Sequence, residues 1–308
     1  MDKNRIDAIL AIGAVAFIGI GCWGGGTNRS SSTDGTPAVS STPSTSNDNK
    51  RDTNENTNKM TEKIGFTANL PDGFKAPTDD AGRLLLKEYG AVFVARGGVT
   101  PPKTVVFKDQ SEVSSFQSSL KTSSESIGGF TLELQSAAMD GLRKAIADAK
   151  AAGLSISPRD KDSAKRSYDE TIELWNSRVD PALKHWVSKG KMTQAQADKL
   201  KSLSPYEQVP EVLKLEAQGI YFARDLTKSI IYSVAPPGTS QHLSMLAMDV
   251  KEHEDRKVRD ILAKHGWYQT VISDLPHFTY LGVGDSELSK LGLKKISDAG
   301  RTFWLPEV

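Results

Sequence analysis

The chain has 308 residues, with 39 Lys and Arg against 38 Asp and Glu and a formal charge of +1. That length is ample for a buried core in one large domain or two small ones, and the even charge balance argues against a nucleic-acid partner, which needs a basic face. The single cysteine, Cys22, excludes an internal disulfide and any cysteine-built zinc site, so a transition metal would fall to carboxylates and five histidines.

Residues 1–23 read MDKNRIDAILAIGAVAFIGIGCW. Lys3 and Arg5 precede an apolar run of 13 residues, Ala8 to Ile20, which is the layout of an export signal. A membrane-spanning helix needs roughly 20 residues, so this run is short for one. Cys22 at its end resembles the lipidation acceptor of a bacterial lipoprotein, although Gly19 stands where an aliphatic residue is usual. An uncleaved signal anchor is the alternative. Both place the remaining chain outside the cytoplasmic membrane and tether it there. Residues 24–62 are dominated by Ser, Thr, Asn, Gly and Pro, with no aromatic residue between Trp23 and Phe66. Such a composition is expected to form a flexible tether with an r.m.s. span of about 35 Å.

The folded part is expected to comprise an accessory α/β segment, residues 63–128, and a domain at 129–308. Residues 91–96 (AVFVAR) and 103–108 (KTVVFK) predict a strand pair across a Pro/Gly loop. Helical spacing at Leu134, Ala138, Leu142, Ile146 and Ala149 predicts a helix over 132–152, with a short strand at 154–157. A second helix is expected over 163–189, broken or kinked near Pro181, with further helices at 193–202 and 208–218. Short strands are expected at 229–234, 246–250 and 278–282, with one helix near 253–265. Helices first and strands later point to an α+β fold.

The five histidines are His185, His242, His253, His265 and His277. Asp249 lies seven positions after His242, a separation of roughly 23 Å in extended chain. Pro236, Pro237 and Gly238 instead favour an irregular loop that carries His242 into a strand ending at Asp249. Asp274 precedes His277 by three positions, and Pro276 sets His277 at a strand entry. Two histidines and one carboxylate leave a fourth tetrahedral position open, the pattern of a catalytic zinc site. Such chemistry needs a further carboxylate for proton transfer, and Asp274 is placed for it. On spacing alone these pairs also fit hydrogen-bonded structural histidines.

Residues 237–250 (PGTSQHLSMLAMDV) resemble the Ser-x-His-x-x-Gly-x-Ala-x-Asp motif of the VanY-type zinc D-alanyl-D-alanine carboxypeptidases, members of the LAS metallopeptidases. Ser240, His242, Ala247 and Asp249 fall in register, and Asp274-Leu-Pro-His277 resembles the family's Glu/Asp-x-x-His element. Residues 166–171 (RSYDET) resemble its Arg-Ser-Tyr-x-x-Gln segment, with Thr171 in place of the glutamine. The resemblance implies Zn²⁺ on His242, Asp249 and His277, with Asp274 as base and then acid. It implies further that Arg166 faces carboxylate or oxyanion, with Arg159 as a rival, and that Ser240 orients substrate. It also implies a helical N-terminal half packed on a small antiparallel sheet carrying the zinc, as in hedgehog/D-Ala-D-Ala peptidase-like folds. Peptidoglycan stem peptides are the implied substrates. Endopeptidase action, or cell-wall binding without turnover, are the alternatives. Met245 replaces the motif glycine, so the backbone there is expected outside the region that only glycine tolerates. His185, His253 and His265 read as bystanders, with His253 on a solvated helix start and His265 at a helix end. Trp175, Trp186 and Trp267 read as core.

Overall fold

The computed structural model describes residues 64–308. The expectations for residues 1–23, for Cys22 and for the tether lie outside the described residues. Among the described residues no helix is long and apolar enough to cross a membrane.

The chain opens with a one-turn helix, α1 (Phe66–Asn69), then α2 (Asp80–Tyr89), whose first turn is capped by the Asp79 carboxylate accepting from Gly82 N–H. Residues 91–96 do not form a strand. Gly90–Val94 is a 3-10 helix with every residue buried, and a run buried on all sides carries no alternation to separate strand from helix. Residues 103–108 are irregular, with one isolated bridge from Thr104 to Lys75. The predicted strand pair is therefore absent. A pair that the sequence reading missed follows α3 (Gln110–Ser118): β1 (Thr122–Ile127) and β2 (Phe130–Gln135) form an antiparallel hairpin. Its turn is Gly128-Gly129, at φ 61° and 87°, which a two-residue hairpin turn requires. β2 takes residues that helical spacing had claimed, so α4 begins later, at Ser136–Ala151. Residues 154–157 form no strand; Lys251 N–H donates to Ser157 O at 3.0 Å and a single bridge joins Pro158 to Val250.

The long helix α5 (Tyr168–Ser188) also starts later than expected, at a capping box in which Ser167 and Glu170 satisfy each other's backbone N–H groups. It runs through Pro181 without a break. Helices α6 (Gln194–Ser202), with a second capping box at Thr193 and Gln196, and α7 (Gln208–Glu216) fall where the sequence placed them. Residues 229–234 do not form a strand: Ile230–Tyr232 is wound as a 3-10 helix that buries Ile230 and Ile231 and leaves Tyr232 exposed. Then come β3 (Ala247–Asp249), α8 (Arg256–Lys264), β4 (Trp267–Tyr268), β5 (His277–Tyr280) and α9 (Asp285–Leu288). The chain closes with the hairpin β6 (Leu293–Asp298) and β7 (Arg301–Pro306).

The fold is α+β, with a three-stranded antiparallel sheet in the order β3-β5-β4. One buried apolar cluster runs from Phe66 to Trp304 and includes Leu85, Leu134, Met139 and Trp175. Within it the Trp175 indole N–H donates to Gln208 Oε1 at 3.0 Å. At one end Asn69 Nδ2 donates to Lys290 O at 3.1 Å, and Gly65 N–H does so at 3.3 Å, which docks α1 against the C-terminal segment. The sheet register matters most for function. It sets Asp249 directly opposite His277, and directly opposed residues project their side chains from the same face.

Candidate metal centre

The segment before β3 is built by close contact. Gly238 has φ 74°, and a Cβ there would lie 2.0 Å from the carbonyl oxygen of Phe107. Phe107 N–H donates to Gly238 O at 2.9 Å, and Gly238 N–H donates to Thr171 Oγ1 at 3.2 Å. The 3-10 helix Gln241–Ser244 follows and ends at Met245. Met245 has φ 58° and ψ 30°, so the sequence-based expectation for it is overturned: the backbone keeps the left-handed form that favours glycine, with a methionine in place. Gln135 holds this reversal, its N–H donating to Met245 O at 3.1 Å and its Nε2 to Ser244 O at 2.8 Å. The reversal returns the chain to Asp249 beside His242, which an extended path forbids.

His242, Asp249 and His277 are buried and converge. His242 Nε2 lies 3.1 Å from His277 Nδ1 and 3.3 Å from Asp249 Oδ1, and His277 Nδ1 lies 3.2 Å from the same oxygen. Among the described residues this is the one trio of His, Cys, Asp or Glu that closes in this way. The other nitrogen of each ring is already committed. His242 Nδ1 lies 2.8 Å from the carbonyl of Ala164, which can only accept, so that nitrogen carries the proton. His277 Nε2 donates to Gln241 Oε1 at 2.9 Å. In the neutral rings, the two inward nitrogens and the carboxylate oxygen are then all lone-pair donors facing one point. A proton can join only one pair of them, whereas a divalent cation serves all three. The edges also fit, since ligands at about 2.0 Å in a tetrahedral zinc site stand roughly 3.3 Å apart.

Charge supports this arrangement. Burial, and then the Arg166 guanidinium, push His242 below the usual imidazole range and favour the neutral ligand form. Burial opposes ionisation of Asp249, yet the contacts with His242 and His277 outweigh it and hold the carboxyl well below its ordinary range. Arg166 Nη2 donates to the outer oxygen, Asp249 Oδ2, at 3.2 Å. Arg166 therefore holds Asp249 by its far oxygen, and Gln117 Nε2 donates to the Arg166 carbonyl at 2.9 Å.

The trio opens on a cavity of about 290 Å³ that is also lined by Arg159, Arg166, Ser240 and Asp274, so every folded site residue expected from sequence meets there. Asp274 is exposed at the rim, and its carbonyl accepts the His277 N–H at 3.1 Å. The bystanders stay apart. His265 Nε2 pairs with Asp148 Oδ2 at 2.9 Å, and His185 stands edge-on to Trp186. His253 is half-buried, not solvated, with Nδ1 lacking a hydrogen-bond partner. Sequence reasoning missed Gln241, Tyr89 and Arg178, which also line or brace the cavity. Gln241 adjoins His242 in the chain, but no spacing rule distinguishes it. Arg178 lies on α5, ten positions beyond its first residue Tyr168, and the sequence marks it only as a helix residue.

No protein-family model matches the chain, and neither does any curated protein. Solved structures do. A mutant of the vancomycin-resistance D,D-pentapeptidase VanY, in complex with Zn(II), is 17% identical with a TM-score of 0.32, over 54% of this chain and 82% of that one. VanYB in complex with D-alanine-D-alanine is 18% identical with a TM-score of 0.31, over 52% and 77%. The LdcB LD-carboxypeptidase, whose structure addresses peptidoglycan recognition, is 19% identical with a TM-score of 0.28, over 49% and 60%. The chain is thus similar to VanY-type peptidases at low identity, and the chemistry of its centre rests on its own atoms.

Proposed function

We propose that the chain is a zinc-dependent D-alanyl-D-alanine carboxypeptidase of peptidoglycan stem peptides, held outside the membrane through residues 1–62. The observation that carries this reading is the triangle of lone-pair atoms on His242, Asp249 and His277, each with its second polar atom already committed. Zinc held by these three residues would polarise a scissile carbonyl and supply a nucleophilic water at neutral pH. Asp274, at the cavity rim, would take the proton of the attacking water and return it to the leaving amine. Ser240 would orient the peptide. Arg166 is engaged with Asp249, which leaves Arg159 and Arg178 as cavity-lining guanidinium groups that make no ion pair among the described residues. A fork of this kind matches a terminal carboxylate. Two such groups favour release of a terminal residue over internal cleavage, and endopeptidase action is the second reading.

A pentapeptide ending in D-Ala-D-Ala tests it. Released D-alanine should require Zn²⁺, stop with a chelator and return with added Zn²⁺, and His277→Ala should abolish both release and metal binding. Zinc-loaded protein that binds muropeptides without hydrolysis would favour the wall-binding reading. For the tether, expression in a bacterium should leave the protein in the membrane fraction, with Cys22→Ser releasing it if the anchor is a lipid. Recovery of the intact chain from the cytosol would sink the extracytoplasmic placement.

A further inference from the structure

We propose that Gln241 is a positioning residue that fixes the tautomer and orientation of His277, and that it is itself aimed by the main chain at the end of α2. This inference rests on the metal site proposed above and concerns the hydrogen bonds behind it. The proton positions follow in sequence from one acceptor. The carbonyl of Tyr89 can only accept, and Gln241 Nε2 lies 2.8 Å from it. The amide nitrogen must therefore face Tyr89, which turns Gln241 Oε1 towards β5. Two groups of β5 donate to that oxygen, His277 Nε2 at 2.9 Å and the Thr279 hydroxyl. Thr279 has then committed its only proton, so Thr270 donates to Thr279 Oγ1 at 2.6 Å and accepts from Gln241 Nε2 at 3.3 Å. Thr270 Oγ1 also lies 3.3 Å from Gln241 Oε1, so the two threonine protons can exchange places, but the amide orientation and the His277 Nε2 donor are the same either way. Gln241 is 3% exposed, and Thr270 and Thr279 are fully buried, so in the intact site these polar groups are satisfied by one another.

The consequence for His277 is specific. With Nε2 held as the donor, Nδ1 keeps its lone pair and stays turned towards His242 and Asp249. An imidazole without that partner could carry its proton on Nδ1 or rotate away from the trio. Gln241 also adjoins His242 in the chain, so one short 3-10 helix positions both rings. Tyr89 brings the segment preceding β1 into the same arrangement, since its carbonyl sets which way the Gln241 amide points.

The test compares wild type with Gln241→Leu and with Gln241→Asn, which keeps the amide but is too short to span Tyr89 and His277. Chelator competition should show Zn²⁺ affinity lowered 10- to 100-fold in both variants, the range known for lost partners behind a ligand. Imidazole ¹⁵N spectra of the zinc-loaded protein should show His277 protonated at Nε2 in wild type and a broadened or shifted signal in the variants. A purely structural role would lower the melting temperature of metal-free and loaded protein equally while leaving Zn²⁺ affinity within twofold of wild type, and that result overturns the proposal. Should Gln241→Leu not fold, Gln241→Asn carries the same criterion. Zinc bound normally by wild type without peptide hydrolysis overturns only the proposed function. Unchanged affinity in the variants overturns only this inference, and a wild type that binds no zinc overturns both.

Discussion

Two glycine turns use the same backbone freedom for different ends. At the tip of the β1–β2 hairpin, Gly129 takes φ 87° with open space around it, and its conformation serves only to reverse the chain. At Gly238 the φ is 74°, but a side chain there would collide with the Phe107 carbonyl. The first turn is local geometry. The second is a junction between the segment before β1 and the loop that carries His242, so the centre takes its shape from residues more than a hundred positions upstream.

This contrast can be broken by substitution. Gly238→Ala combines left-handed strain with a backbone collision and should cost about 3 kcal/mol or more in chemical denaturation, with loss of zinc binding. A fully stable, zinc-binding variant would show that the junction is not rigid. Met245→Gly falls next. It removes the left-handed strain, worth about 1–2 kcal/mol, but empties a fully buried side chain, worth about 2–5 kcal/mol. Net destabilisation of about 1–3 kcal/mol is expected with zinc affinity retained, and a stabilised variant would mean that the methionine packs poorly. The smallest effect belongs to Gly129→Ala, where strain acts alone and about 1 kcal/mol is expected with no change at the centre. Equal losses at Gly129 and Gly238 would remove the distinction.

The same contrast explains what could be read from the sequence. Side chains that cap a helix start are written in the sequence, yet only the start at Thr193 with Gln196 coincides with the expectation, while the box at Ser167 and Glu170 sets α5 five residues later than expected. The run at 91–96 misled because near-complete burial erases the period that separates strand from helix, and the one at 229–234 because a short β-branched and aromatic run cannot be assigned by period at all. The β1–β2 hairpin was legible in its Gly-Gly turn, but helical spacing through Leu134 and Ala138 competed for the same residues. At the centre, spacing alone did not single out His242, Asp249, His277 and their neighbours; the resemblance of residues 237–250 and 274–277 to a family motif did. The means of bringing them together was not legible. A methionine in a left-handed conformation breaks the local rule, and Gln241 acts through a carbonyl that no side-chain pattern reveals.

The docking of α1 against the C-terminal segment bears on how the molecule assembles. Asn69 reaches Lys290 across 221 positions, and Gly292 comes so close to the Phe66 backbone that no side chain would fit there. Glu307 N–H then donates to Gly292 O at 2.9 Å. Contacts so distant along the chain form late, because their loop must close before they repay it. Phe66, 2% exposed in the finished structure, therefore lacks its full cover until residues 290–307 have been made. A chain cut short of residue 290 would therefore leave that aromatic ring partly open to solvent.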